Sequence, residues 1–335
     1  MHNVRTITTL SGSKNYLQFQ FSTAVDVANS LSILFRNPVF AVKTQPGAME
    51  CSLTALIDQD NVFFSISANR SIFFCGDKKD GVINFSCTDA SITEPVNNLR
   101  NFSNDLSHVA TQVLGGFTNK TNFRLFHLPA NSRILNFSGK RENITGYINK
   151  CSSSFEGIAN QSNAILPSVE TLNQFRTIVK SALRLNGNEA TKVENYSKNA
   201  MESLAQCFDS SQLIKNIPLK ETQRHVLCKD LVAWGYDNVD VPLSLEVAIE
   251  QLHTTRSALS RGCKETMGIG PMEILRYIRL EHVRKALGNS IIRNQLSANT
   301  VERIREHYGF QTRGNFAALY RHYFEENPSS TMKWS

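Results

Sequence analysis

Arg256, Ser257, Ser260, Arg261 and Lys264 set hydrogen-bond donors at helical spacing, directly after Thr255. An arginine fork matches the paired acceptors on a guanine edge, serine bonds bases or phosphates, and lysine adds a point charge for phosphate. Thr312, Arg313, Gly314 and Asn315, with Arg321 and His322 further on, repeat this donor-rich pattern downstream. The chemistry is recognition of an acceptor-rich, anionic surface. Neither group pairs a nucleophile with a base, and no Gly-x-Ser-x-Gly elbow occurs, so an enzyme is not expected. Charge agrees: Thr255 to Lys285 holds 7 Lys/Arg against 3 Asp/Glu in a chain of net charge +7. An anionic partner follows from that balance.

Such donors read DNA only if a helix carries them outward while its other face is anchored. Leu245 to Leu252 supplies a first helix and His253-Thr254 a turn, and the Thr255 hydroxyl is placed to cap the next helix. Leu259, Cys263 and Met267 recur every four residues as its inner stripe. Gly268 suits a left-handed helix end and Pro271 the first turn of a new helix reaching about Leu287. At ~1.5 Å per residue that helix spans about 26 Å, near the separation of neighbouring major-groove segments. Thr300 then caps a short helix to about His307, Tyr308-Gly309-Phe310-Gln311 forms a turn, and a helix from Thr312 turns Phe316, Leu319, Tyr320 and Tyr323 inward. These are two helix-turn-helix units joined by a spacer.

The constellation resembles the AraC/XylS family of bacterial transcription regulators. The likeness spans about Leu243 to Ser329 and is carried by Leu259-Ser260-Arg261, Met267-Gly268-Ile269-Gly270-Pro271, Ile278-Arg279-Leu280 with Val283-Arg284, Gly309-Phe310, Asn315-Phe316 and Asn327-Pro328-Ser329. The Gly-Ile-Gly-Pro segment looks most like the ethanolamine-operon type. The resemblance implies that both donor-bearing helices enter major grooves on one face of DNA. Arg256, Ser257, Ser260 and Arg261, with Thr312, Arg313, Gly314 and Asn315, then fall at the base-reading positions. Arg276, Arg279 and Arg321 are phosphate clamps or structural ion pairs. It further implies an upstream cupin-like domain, a small-molecule effector, a homodimer, and RNA polymerase as a partner of an activator; activation and repression both stay open. Three departures stand out: Ile249 and Arg305 occupy positions where the family has a small alanine, and Glu325 replaces a glycine. Arg305 must then push its head group out to water, which leaves a second reading open, a degenerate regulator working by protein contact.

The rest of the chain sets the architecture. With 41% hydrophobic residues, 335 residues can fill two cores. From Pro38 to Lys150, short β-branched and aromatic runs alternate with turns, among them Val62 to Ile66, Ser71 to Cys75, Val82 to Phe85, Phe123 to Leu128 and Arg133 to Phe137, the pattern of an antiparallel barrel or sandwich. The Ser/Asn-rich run Ser152 to Ser162 reads as disordered. Helical periodicity follows, with breaks at Asn186-Gly187-Asn188 and Lys215 to Pro218. The expected organisation is α+β: a cupin-like antiparallel β sensor or dimerisation domain over 1–165, a helical connector over 166–220, and an all-α DNA-binding domain over 221–335. A cupin-type enzyme would cluster His and Glu on adjacent strands, whereas His108 and His127 stand apart, so neither metal nor cofactor is expected. Seven cysteines without a C-x-x-C pair read as reduced thiols. With no apolar stretch long enough for a membrane and no secretory leader, the cytoplasm is the expected location.

Overall fold

Alternation of apolar and polar side chains makes a layered β structure of the N-terminal half. The computed structural model describes residues 14–58, 60–77, 80–89, 112–117, 123–185, 190–213, 222–242 and 244–333. β1 (Lys14–Phe21) leads into α1 (Ala24–Phe35), a helix that strand alternation does not announce. There follow β2 (Phe40–Lys43), β3 (Cys51–Asp58), β4 (Asn61–Ala68), β5 (Ile72–Asp77), β6 (Val82–Thr88), β7 (Leu114–Gly115), β8 (Phe123–Leu128) and β9 (Ser132–Lys140). Two short later strands, β10 (Ala164–Leu166) and β11 (Gln212–Leu213), extend the large sheet, whose order is β1-β3-β4-β9-β6-β7-β10-β11; β2-β5-β8 form a smaller one. The pairings are antiparallel.

Period-two alternation gives the large sheet two different faces. Leu53 opposes Ile66 and Ala55 opposes Phe64, and all four are buried in one cluster with Ile72 and Phe74 of the small sheet. On the other face Phe63 opposes Phe137, with ring centroids 4.8 Å apart. That side is covered by helices. Burying each such ring contributes roughly 1.5–3 kcal/mol.

The covering helices follow β9. α2 (Arg141–Cys151) and α3 (Phe155–Ala159) precede α4 (Val169–Leu183) and α5 (Ala190–Asp209). Phe175 and Val179 of α4, with Leu204 and Phe208 of α5, join Phe63, Phe85 and Phe137 in one buried cluster. The segment read as a connector therefore packs on the sheet. The Ser/Asn-rich run is ordered as well, because its serines bond inward: Ser152 Oγ donates to Asp209 Oδ1 at 2.6 Å and Ser162 Oγ to the Ala164 carbonyl at 2.7 Å. The breaks at 186–188 and 215–218, and His108, lie outside the described residues.

The C-terminal part is all helix: α6 (Gln223–Asp237), α7 (Leu245–Gln251), α8 (Arg256–Met267), α9 (Pro271–Leu287), α10 (Ser290–Gln295), α11 (Val301–His307), α12 (Arg313–Phe324) and α13 (Pro328–Lys333). One cluster gathers α6 to α9 around Leu259, Cys263 and Ile274. A second gathers α9 and α11 to α13 around Leu280, Ile304, Phe316 and Tyr320. α9 is the shared wall of both. The fold is thus α+β, an antiparallel β-rich N-terminal part followed by a helical domain. All seven cysteines are free thiols, and only Cys151 is exposed. Among the described residues no helix is long and apolar enough to cross a membrane, and no group of three or more His, Cys, Asp or Glu is placed to hold a metal.

Candidate nucleic-acid interface

Each donor-bearing helix is set by local chemistry at its ends. Ser244 caps α7, its Oγ accepting from Val247 N at 3.3 Å. Four residues on from the end of α7, Thr255 caps α8 by accepting from Ala258 N at 3.2 Å. Between them His253 takes a left-handed φ of 48°, which closes the turn at some cost for a residue with a Cβ. α8 ends at Gly268, left-handed at φ 77°, with its N–H on the Lys264 carbonyl. Pro271 opens α9 as the sequence predicts.

Within α8 the inner stripe is Leu259, Gly262, Cys263, Thr266 and Met267. Arg256, Ser257, Arg261 and Lys264 are exposed and Ser260 half-buried. Gly262 escapes a search for donors, yet it sets the crossing with α6: a Cβ there would lie 2.9 Å from the Arg224 carbonyl oxygen. Backbone cannot swing aside as a side chain can. Gly262→Ala is expected to lower stability by about 1–3 kcal/mol in thermal or denaturant unfolding. Cys263 is packing and not reactivity, since the hydrogen-bonded Cys228 thiol and then burial push its pKa far up.

The alanine expected at the first-unit crossing is present one residue early. Ala248 is fully buried, and Ile249 sits half-buried against the same core. The second unit is more informative. Thr300 caps α11 by accepting from Arg303 N at 3.2 Å, and Gly309, left-handed at φ 75°, turns the chain. Arg305 does not reach water: its side chain is 4% exposed. Its Nη2 donates to Glu302 Oε1 at 2.6 Å and Glu306 Oε1 at 3.0 Å, and its Nη1 donates to the Phe310 carbonyl. The helix thereby supplies its own acceptors and ties down the turn. Thr312 precedes α12 without a side-chain capping bond. Phe316, Tyr320 and Tyr323 are buried, whereas Leu319 is only half-buried and faces the groove described below. Thr312, Arg313, Gly314, Asn315, Arg321 and His322 are exposed. Glu325 does end α12 in a left-handed conformation, φ 59°, with its N–H on the Arg321 carbonyl, so the cap forms despite its Cβ.

The spacer arginines separate by burial. Arg279 is 2% exposed, and its guanidinium donates to the Asn238 carbonyl at 3.0 Å and the Tyr308 carbonyl at 3.4 Å. It ties the end of α6 to the turn of the second unit, the structural one of its two alternatives. Arg276 is exposed. It lines a groove of about 510 Å³ with Arg256 and Ser260 of the first unit and Leu319 and His322 of the second. Arg256 is held there by an ion pair with Glu246, both side chains about two-thirds exposed. The groove thus unites donors of both units across α9.

Two helix-turn-helix units with exposed cationic faces, mounted on one spacer, define a DNA-binding domain. Residues 249–333 match the family model described as a helix-turn-helix domain. Among solved structures, the chain is similar to an AraC-type transcriptional regulator from Chromobacterium violaceum, at 21% identity, 32% of this chain, 90% of that one and a TM-score of 0.29. It is similar to a probable AraC family regulator from Rhodopseudomonas palustris, at 22%, 32%, 95% and 0.29. It is also similar to ToxT from Vibrio cholerae, at 9%, 96%, 98% and 0.31.

Proposed function

We propose that this regulator reads a promoter with both units at once, α8 and α12 entering successive major grooves on one face of the duplex. The observation that carries this reading is the groove shared by Arg256, Ser260, Arg276 and His322, flanked by the exposed faces of α8 and α12. Thr255, Arg256, Ser257, Ser260, Arg261 and Lys264 serve the first half-site. Thr312, Arg313, Gly314 and Asn315 serve the second, with Arg276 and Arg321 on phosphates. Gly314 supports the assignment: a Cβ there would meet nothing within 4 Å, so the fold gains nothing from a residue that weakens the helix by about 1 kcal/mol. Close approach of DNA backbone is what a bare helix face permits.

Division into a β sensor or dimerisation domain over 1–165, a helical segment over 166–220 and a DNA-binding domain over 221–335 belongs to this proposal. So do effector control through the β-rich part, a homodimer, contact with RNA polymerase if the protein activates, a cytoplasmic site of action beside the chromosome, and the absence of catalysis. The ethanolamine-operon subtype is carried by Gly268 to Pro271 alone. The reading as a degenerate, protein-contacting regulator loses its main support, because both terminal nitrogens of Arg305 find acceptors inside the second unit, though its Nε stays buried without one.

Gel-shift titration on the cognate promoter tests the assignment. Arg256→Ala and Arg261→Ala should each cost about 1–3 kcal/mol of specific binding, and Arg313→Ala a similar amount through the second unit. Unchanged affinity in all three would remove the base-reading assignment. Wild-type affinity should also fall steeply and log-linearly with salt and exceed that for random DNA by at least ~1000-fold.

A further inference from the structure

Among the described strands β2 is an edge strand, hydrogen-bonded to β5, and besides packing on β5 and α1 each of its four residues touches the helical domain. The Phe40 ring lies 5.1 Å from that of Tyr236 on α6. Ala41 exchanges two hydrogen bonds with the Tyr236 hydroxyl, which donates to its carbonyl at 2.7 Å and accepts from its N–H at 3.2 Å. Val42 is buried in the first-unit cluster with Leu231, Leu259 and Ile274. Lys43, with a side chain 0% exposed, stands 3.9 Å from Glu281 Oε1 on α9. Its Nζ donates to the Tyr323 carbonyl at the end of α12, at 3.1 Å, and lies 3.9 Å from the Tyr323 ring centroid. The Tyr323 hydroxyl returns a bond to the Lys43 carbonyl at 2.8 Å, and Gly47 N–H bonds the same Tyr323 carbonyl at 2.9 Å.

One short strand therefore grips α6 and the first unit with three residues, and the spacer and the second unit with the fourth. α1 reinforces the hold, since Ala24 N–H bonds Glu281 Oε2 at 2.7 Å and Asp26 pairs with Lys285 at 2.8 Å. A buried lysine is a costly way to fill space. Its charge is tolerated only where carbonyls and a carboxylate converge on it, so the joint has one well-defined geometry.

We propose that β2 is a brace that fixes the orientation of the second helix-turn-helix unit relative to the first, and so passes any shift of the β-rich part to the DNA-reading faces. This rests on the two-unit reading above. Two linked units bind tightly when the second is already aligned after the first engages; loosening one end of the brace forfeits that alignment and leaves the first unit intact.

The full-length protein tests it, with Lys43→Met and the milder Tyr323→Phe, which keeps the ring and carries the test if the first variant does not fold. Binding is measured on the cognate site and on the same site with the second half-site scrambled. Affinity for the intact site should fall about tenfold for Lys43→Met and about threefold for Tyr323→Phe, and affinity for the scrambled site should hold within about twofold. Amide exchange without DNA should quicken at 320–326 and stay unchanged at 256–267. Equal losses on both sites, no loss on the intact site, or unaltered exchange at 320–326 would each overturn the brace. Absence of specific DNA binding by the wild type would instead overturn the proposed function, and the exchange measurement would still decide whether β2 holds the second unit.

Discussion

Acidification from pH 7.5 to 5 should lower the stability of the folded protein by about 4 kcal/mol through two histidines. Burial pushes the His127 pKa down to about 3, where the ring stacks on Phe73 at 4.0 Å between centroids. Burial, then the nearby Lys285 charge, push His282 down to about 4 against the opposing pull of Asp26. Its ring meets that of Tyr236 edge-on at 5.4 Å. His127 Nδ1 and His282 Nε2 are buried without a hydrogen-bond partner, so a proton added at either of these nitrogens finds no acceptor, while His127 Nε2 already shares a hydrogen bond with the Ser71 hydroxyl at 2.5 Å. A histidine with a lowered folded pKa takes its proton more readily when unfolded. Stability is therefore level above about pH 7.5 and drops as pH falls through the unfolded value of about 6.5 towards the folded values, about 2 kcal/mol per histidine by pH 5. Denaturant unfolding at several pH values measures the slope. The double variant His127→Gln, His282→Gln should lose it, and an identical slope in that variant would remove these groups as the cause.

What the sequence makes legible is what local chemistry decides. The caps at Thr255 and Thr300, the left-handed Gly268 and Gly309, the Pro271 start and the four-residue stripe of α8 all depend on neighbours a few residues away, and all lie where pattern places them. The strands at Val62, Ser71, Val82, Phe123 and Arg133 are equally plain, because alternation reports a half-buried surface directly. Partners distant in sequence escape. Lys43 reads as a surface lysine until Glu281 and Tyr323 surround it. Gly262 reads as a weak helix residue until α6 crosses above it. α10, six residues long, lacks the run length that makes periodicity visible, and Ser152 to Ser162 looks disordered by composition though Asp209 orders it. In the donor set, sequence finds the exposed residues and favours a structural role for Arg279 over Arg276, and tertiary burial then separates the two.

Arg305 is the sharpest case, because sequence and structure predict opposite results for one substitution. If the arginine were a misfit at a position that wants alanine, Arg305→Ala would relieve the second unit and strengthen DNA binding. Its guanidinium instead holds the Phe310 carbonyl, Glu302 and Glu306 from a site 4% exposed to solvent. The two glutamates are themselves about half or more exposed, so water replaces most of what they would lose, and their ion pairs add little. The larger loss lies in the turn and the core. The Phe310 carbonyl gives up a charged donor just before α12, and removal of the buried aliphatic stem leaves a void. Arg305→Ala should therefore cost about 3 kcal/mol of stability. The loss should concentrate at 301–326, where amide exchange should quicken while 256–267 stays protected. Specific DNA affinity should fall with it. A variant as stable as the wild type, or one that binds its promoter more tightly, would show that the arginine only obstructs the helix crossing.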